Sequence, residues 1–232
     1  MAEKYAQLLA TYRRMFGMVD AFHFNSQNTA DVYRRYLDVP VASKVIPITH
    51  AGIKDHRRKR AFDANMLRLG FIGSEDPYKG LPLLKEVIRQ LNQEGYIDKL
   101  SLVVYGGRIG VDENASNILY KGRFGATMLK KVYDEMDMLI VPSICNETFS
   151  LVTLEALSYG VPVLVSDMVG AKDIVARYDA HFVFKTKEDL YALLKKLVDN
   201  KTELIRYNEA VISESWCWSI EQHAKDILEQ LY

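Results

Sequence analysis

The chain has 232 residues, with 30 Lys and Arg against 30 Asp and Glu, a formal net charge of +0 and a pI near 7.0. That balance excludes nucleic-acid binding through bulk charge, which leaves a basic surplus, and 49% apolar with 11% aromatic content excludes a disordered chain. Two cysteines, Cys145 and Cys217, are too few for a disulfide scaffold, and no apolar run approaches the roughly 20 residues of a membrane span, so a soluble protein of the reducing cytoplasm is expected.

The first fifty residues read as helix 3–16, strand MVDAFHFNS, helix 27–37 and strand KVIPITH. One βαβ unit is too little sheet to stand as a domain. GIKDHRRKRAFDAN follows, highly charged and without periodicity, and reads as a linker. Its basic run, Lys54, Arg57, Arg58, Lys59 and Arg60, is expected to be a solvated connector. The sharper alternative is peripheral contact with an anionic membrane surface or an acidic substrate.

From Met66 one pattern repeats: a short apolar run, a glycine or polar turn, then helical spacing. The runs are LRLGFIG (67–73), LSLVVYG (100–106), NILYKG (117–122), DMLIVPS (137–143), VPVLVS (161–166) and HFVF (181–184). Several are apolar throughout, as strands buried on both faces are. Segments such as 81–91 and 151–159 carry apolar residues at i, i+3 and i+4. The alternation predicts an α/β fold, a Rossmann-like parallel sheet with flanking helices. Helices near 187–199 and 202–214 precede Trp216, Trp218 and a last helix running to Tyr232.

The stretch PSICNETFSLVTLEALSYGVPVLVSDMVGAKDIV (142–175) carries the chemistry. A buried strand ends at Val141, Pro142 and Ser143 turn the chain, and a helix begins near Ser150. The turn thus lies at the carboxyl end of a parallel strand, where open α/β sheets bind ligands, and the helix start suits phosphate oxygens. Glu147 precedes this helix, and Glu155 shares a face with Leu151, Leu154 and Ser158. Two readings of Glu155 stand: a surface or lysine-paired glutamate, or a carboxylate that accepts from a sugar or ribose diol. The histidines, His23, His50, His56, His181 and His223, show no metal-ligand spacing, and no Asp-x-Asp occurs. Glu135-Met136-Asp137 reads as surface charge, Cys145 as a buried packing residue and His50 as a satisfied structural histidine that could alternatively reach the cleft. The two Gly-Arg-x-Gly stretches, 107–110 and 122–125, read as turns after strands, and no dinucleotide or P-loop glycine fingerprint is present.

ETFSLVTLEALSYGVPVLVSD resembles the signature of the family-4 (group 1) retaining glycosyltransferases, with Glu147 and Glu155 at its spacing and Ala156, Gly160 and Pro162 in its expected places. LGFIGSEDPYKG, LVVYGG and YDEMDMLIVPS resemble three further elements of that family in the right order over 66–175, and WCWSIEQHAKDILEQLY its last helix. The resemblance implies the C-terminal, donor-binding domain of a GT-B fold over 67–215. It makes 1–53 a remnant of the N-terminal acceptor-binding domain, 54–66 a linker and 216–232 a crossover helix. The implied substrate is a nucleotide-sugar donor, and the acceptor, a sugar, lipid-linked sugar or polysaccharide, would need the missing N-terminal half.

Carried over residue by residue, Lys79 neutralises the donor diphosphate and Glu147 contacts the donor sugar near the reacting carbon, which makes them the implied catalytic pair. The backbone around Thr148, Phe149, Ser150 and Leu151 holds phosphate, Glu155 binds the ribose, and Gly73, Ser74 and Gly106 line the strand ends. No metal or other cofactor is implied. Ser74 departs from the family, which has arginine there; Arg108 and Arg123 are the candidate replacements, and Glu75 and Asp76 would oppose phosphate. A non-catalytic nucleotide-sugar-binding module, or a subunit of a split transferase, is the alternative.

Overall fold

A computed structural model describes residues 2–36 and 42–231. Leu37 and Tyr232, the last residues of two expected helices, lie outside the described residues. The elements are α1 (Ala2–Phe16), β1 (Ala21–Phe24), α2 (Gln27–Tyr36), β2 (Ala42–Val45), β3 (Leu67–Ile72), α3 (Leu81–Leu91), β4 (Leu100–Tyr105), β5 (Ile109–Asp112) and β6 (Ala115–Gly122). They continue as α4 (Leu129–Asp134), β7 (Met138–Val141), α5 (Leu151–Ser158), β8 (Val163–Ser166), α6 (Lys172–Tyr178), β9 (Val183–Phe184), α7 (Lys187–Asp199), α8 (Thr202–Ser213) and α9 (Ile220–Leu231).

Strands β3 to β9 form one sheet in the order β5-β6-β4-β3-β7-β8-β9, parallel except for the β5–β6 pair. Every residue of β7 and β8 is buried, because crossover helices cover both faces of a parallel sheet. The chain runs outward from β3 through β4 to β6 and then returns to place β7 on the other side of β3. That reversal opens a crevice at the carboxyl ends of β3 and β7. β5 was not expected: RIGVD lacks an apolar run, and Ile109 and Val111 are exposed at this antiparallel edge. β1 and β2 form a separate two-stranded parallel sheet, with Ala21 opposite Ala42 and Phe24 opposite Val45.

The basic segment after Ile53 is solvated at Lys54, Arg58 and Lys59 but not at Arg57 and Arg60. The Arg57 side chain is only 9% exposed; it pairs with Asp55 at 2.8 Å, and its Nη1 donates to the carbonyls of Val211 and Glu214 at 2.6 and 2.8 Å. Its guanidinium lies 5.1 Å from the Trp216 ring. Arg60 turns inward as well, donating to the carbonyls of Tyr133 and Met136 at 2.9 and 2.5 Å. Asn208, buried on α8, accepts from the Arg60 amide and donates to the carbonyls of Arg58 and Gly160. Arg58 pairs with Asp134 and Lys59 with Glu209, while Lys54 is exposed. The segment is strapped to the large sheet's domain because arginines can satisfy several carbonyls at once.

Asp137 corrects a second expectation. It is fully buried at the start of β7 and accepts from the Arg68 amide at 2.8 Å and from Arg68 Nη2 at 2.6 Å, so it is not surface charge. Its neighbour Glu135 takes Lys121 and the Tyr105 hydroxyl, both at 2.5 Å.

Asp112, at the end of β5, is buried against Lys85 at 2.5 Å and Arg89 at 3.1 Å. Burial alone would raise its pKa, but the bonds from Lys85, the Asn114 amide and Arg89 outweigh it and hold the carboxyl well below the ordinary range. A folded-state pKa below the unfolded one contributes stability that is complete above about pH 4 and is lost as pH falls below it. Asp112→Asn is expected to cost about 3 kcal/mol at pH 7, read from urea unfolding. The gap to the wild type should shrink between about pH 4 and pH 2; a pH-independent gap would contradict the ion-pair account.

Candidate active site

The crevice holds a cavity of 180 Å³ lined by Phe71, Ile72 and Gly73 from the end of β3, by Lys79, by Ile140, Val141 and Ser143 from the end of β7, and by Glu147, Ser150, Leu151 and Val152. Lys79 arrives on a short 3-10 turn, Pro77–Lys79, capped by Asp76, whose carboxylate accepts from the Tyr78 amide at 3.0 Å. Asp76 is thereby occupied in shaping the loop. Gly80 follows at φ 76°, and a Cβ there would lie 1.7 Å from the Pro142 carbonyl oxygen. Only glycine allows this approach, and the approach sets Lys79 against the turn after β7.

Lys79 Nζ donates to Glu147 Oε1 at 2.9 Å, and Ser143 Oγ donates to Glu147 Oε2 at 2.5 Å. The Glu147 backbone is bridged to the turn after β8: its amide donates to Met168 O at 3.0 Å and its carbonyl accepts from Gly170 N at 2.9 Å. The Glu147 side chain is 18% exposed and that of Lys79 41%, so both can meet a ligand from the cavity. Ser150 has φ 99°, the one described non-glycine residue with positive φ. Such strain persists where the surroundings fix it and concentrates at functional sites. Among the described residues, the amides of Phe149, Ser150 and Leu151 donate to no backbone carbonyl, and those of Ser150 and Leu151 belong to residues lining the cavity at the start of α5. A lysine, a helix N-terminus and free amides together make an anion-binding corner.

Glu155 lies one turn along α5, outside this cavity. It accepts from Tyr133 Oη at 3.0 Å, and His50 Nε2 lies 3.4 Å from its other oxygen. His50 Nδ1 accepts from the Gly52 amide at 3.0 Å, so the neutral ring carries its proton on Nε2 and donates to Glu155. Burial, reinforced by the Glu155 charge and hydrogen bond, lifts the Tyr133 pKa well above its ordinary value and keeps it a donor. Glu155 is therefore neither a free surface glutamate nor lysine-paired. Two of roughly four lone-pair sites are used, which leaves room for hydroxyl donors. With both ring nitrogens paired, His50 is the satisfied histidine expected from the sequence, and it does not line the cavity.

The expected arginine substitutes are not brought to the cavity. Arg108 lies 3.5 Å from Glu75 and 3.8 Å from Asp112, with its guanidinium 4.1 Å from the Tyr120 ring centre. Glu75 also accepts from the Arg108 amide at 3.1 Å. Arg123 and Ser74 are exposed at the strand ends. Gly73 and Gly106 sit at the ends of β3 and β4, the Gly73 amide donating to Tyr105 O at 3.0 Å. Thr148 does not line the cavity; its carbonyl accepts from Ser26 Oγ at 2.6 Å. Cys145 is exposed, contrary to its expected packing role, because the loop after Ser143 turns it outward. Ser143 and Tyr133 were not anticipated as site residues; the only signal for Ser143 was its place in the turn four residues before Glu147. Among the described residues no three His, Cys, Asp or Glu side chains cluster where a metal ion could be held, and no helix is long and apolar enough to cross a membrane.

The family model described as "Glycosyl transferases group 1" matches residues 52–213. The D-inositol 3-phosphate glycosyltransferase of Corynebacterium aurimucosum is 23% identical over 193 residues, covering 76% of this chain and 45% of that protein. The crystal structure of Anabaena HepE in complex with UDP-glucose superposes with a TM-score of 0.74 at 15% identity, over 100% of this chain and 69% of that one. Sucrose-phosphate synthase from Thermosynechococcus elongatus gives a TM-score of 0.70 at 19% identity, over 95% and 60%. The two structures share the fold. The chain spans less than half the length of the curated relatives it matches.

The Gly80 contact is directly testable. Gly80→Ala combines a positive φ with a collision against backbone and should destabilise by on the order of 3 kcal/mol. Gly95→Ala, at φ 90° with nothing within 4 Å of the added carbon, should cost only about 1 kcal/mol of strain. Thermal unfolding of both variants checks this, and equal losses would refute the close approach.

Proposed function

The chain belongs to the group 1 glycosyl transferases, and on that footing we propose that it is the donor-binding part of a retaining transferase that uses a nucleoside-diphosphate sugar. The observation that carries this reading is the Lys79–Glu147 pair in a cavity beside the start of α5, at the carboxyl ends of β3 and β7. Lys79 exchanges Glu147 for the donor diphosphate, assisted by the amides of Phe149, Ser150 and Leu151. Charge builds on the leaving diphosphate during transfer, so a fixed cation and aligned amides favour that transition state over the ground state. This assigns to the chain's own groups the role a metal plays elsewhere, and transfer is metal-independent in this reading.

Released from Lys79, Glu147 Oε1 accepts from a hydroxyl of the donor sugar while Ser143 keeps Oε2 in place. The carboxylate orients the sugar so that attack comes from the face the leaving group departs, assisted by the diphosphate itself. Glu155, already held by Tyr133 and His50, takes the ribose hydroxyls. Both free cysteines, Cys145 and Cys217, fit a cytoplasmic setting. The acceptor, a sugar, lipid-linked sugar or polysaccharide, requires groups beyond those gathered here, so the isolated chain should bind donor well and transfer poorly.

A non-catalytic nucleotide-sugar module is favoured by one observation: Ser74 stands at the arginine position and Arg108 is paired away from the cavity, leaving Lys79 as the cavity's only lining cation among the described residues. Two measurements separate the readings. Calorimetric titration with UDP, GDP and ADP should find one diphosphate whose affinity falls about tenfold or more in Lys79→Ala, with the parent nucleoside unaffected; equal losses would refute the phosphate role. Glu147→Ala should reduce slow hydrolysis or transfer of the matching nucleotide sugar by at least about a hundredfold with diphosphate binding intact. Unchanged turnover would remove Glu147 from the mechanism.

A further inference from the structure

The unit formed by β1, α2 and β2 touches the candidate site at one buried point. Ser26, 3% exposed at the end of β1, donates from Oγ to the Thr148 carbonyl at 2.6 Å. The same oxygen accepts from the Thr29 amide at 3.1 Å and so closes the first turn of α2. Thr29 Oγ1 lies 3.1 Å from the Thr148 carbonyl as well, and Asn28 Nδ2 donates to Met168 O at 3.2 Å. Thr148 follows Glu147 directly, and Met168 O is the acceptor of the Glu147 amide. Gly170 completes the junction: a Cβ there would lie 2.1 Å from Thr148 O and 2.7 Å from Ser26 Oγ, so no side chain fits between them.

We infer that Ser26, supported by Thr29, is a positioning residue that fixes the Glu147 loop from outside the large sheet's domain. The inference rests on the donor-sugar role of Glu147 proposed above. Ser150, three residues after Glu147, is held at φ 99°, a conformation the loop does not favour by itself. Both peptide planes that flank the Glu147 Cα are held from the β8 side, one through Met168 O and the other through Gly170 N. Ser26 holds the next plane, which carries the Thr148 carbonyl and the Phe149 amide, against Gly170, and Asn28 holds the Met168 carbonyl. Loss of the Ser26 bond loosens the loop one plane beyond Glu147 and the Gly170 turn that packs on it. The consequence is selective: Lys79 and the amides of the cavity-lining Ser150 and Leu151 lie outside the plane that Ser26 holds and keep their grip on phosphate, the Phe149 amide alone sharing that plane, while Glu147 loses its aim at the sugar. The unit that would face an acceptor thus helps to set the geometry of the donor sugar.

The test uses the full chain and three ligand pairs: UDP and UDP-glucose, GDP and GDP-mannose, ADP and ADP-glucose. For the pair that the wild type binds, Ser26→Ala should lower affinity for the nucleotide sugar about tenfold and leave the diphosphate within about twofold. Thr29→Val, which keeps the side-chain shape, should do the same about threefold and serves if Ser26→Ala does not fold. Amide hydrogen exchange without ligand should quicken at Glu147 and Gly170 in either variant, with β3 and β7 unchanged. Equal losses for both ligands, or no loss with unaltered exchange, would overturn the positioning role while leaving the donor site standing. Failure of the wild type to bind any of the six ligands would refute the donor-site reading and this inference with it.

Discussion

A contact between two stretches of backbone decides where the charged groups of this protein meet. Gly80 lies on the carbonyl of Pro142 with no side chain between them. That approach brings the turn after β3 onto the turn after β7, across the point where the order of the sheet reverses. Lys79 and Glu147 are 68 residues apart in the chain and 2.9 Å apart in space because of it. The ion pair is a consequence of the approach, since an exposed Lys–Glu pair alone contributes little. Around it the other elements take their places: Ser143 fixes the second carboxylate oxygen, the strained Ser150 precedes α5, and Ser150 and Leu151 line the same cavity.

Charge in this fold is spent internally. The balanced composition becomes, in three dimensions, a set of buried or half-buried partnerships. Arg68 with Asp137 ties β3 to β7, and Lys85 and Arg89 with Asp112 tie α3 to the edge hairpin. Arg57 and Arg60 strap the connecting segment down. The match to the group 1 glycosyl transferases spans residues 52–213 and so includes Lys79, Glu147 and Glu155. In the proposed reading, the serine at position 74 leaves phosphate binding dependent on Lys79 and on backbone amides.

Much of the fold was legible because its signals are local. β7 is apolar at every position and β8 at every position but Ser166 since both faces are covered, and a run such as VLVS can satisfy few other environments. Glu147, Glu155 and Lys79 became candidates only jointly, through the order of four motifs. The rest depended on partners distant in sequence. Arg57 and Arg60 look identical to solvated arginines until Val211, Tyr133 and Met136 supply carbonyls. Asp137 reads as surface charge until Arg68 meets it across the sheet. β5 escaped notice because an edge strand with exposed Ile109 and Val111 carries no burial pattern. Ser26 lies 122 residues from Thr148 and, as a small polar residue before a helix, resembles any other cap.

The most direct test of the account is a crystal structure of the chain with the nucleoside diphosphate it binds. The account predicts a phosphate oxygen about 3 Å from Lys79 Nζ, others on the amides of Ser150 and Leu151, and the Lys79–Glu147 bond broken with Ser143 still on Glu147. A diphosphate bound elsewhere, with Lys79 still held by Glu147, would contradict it.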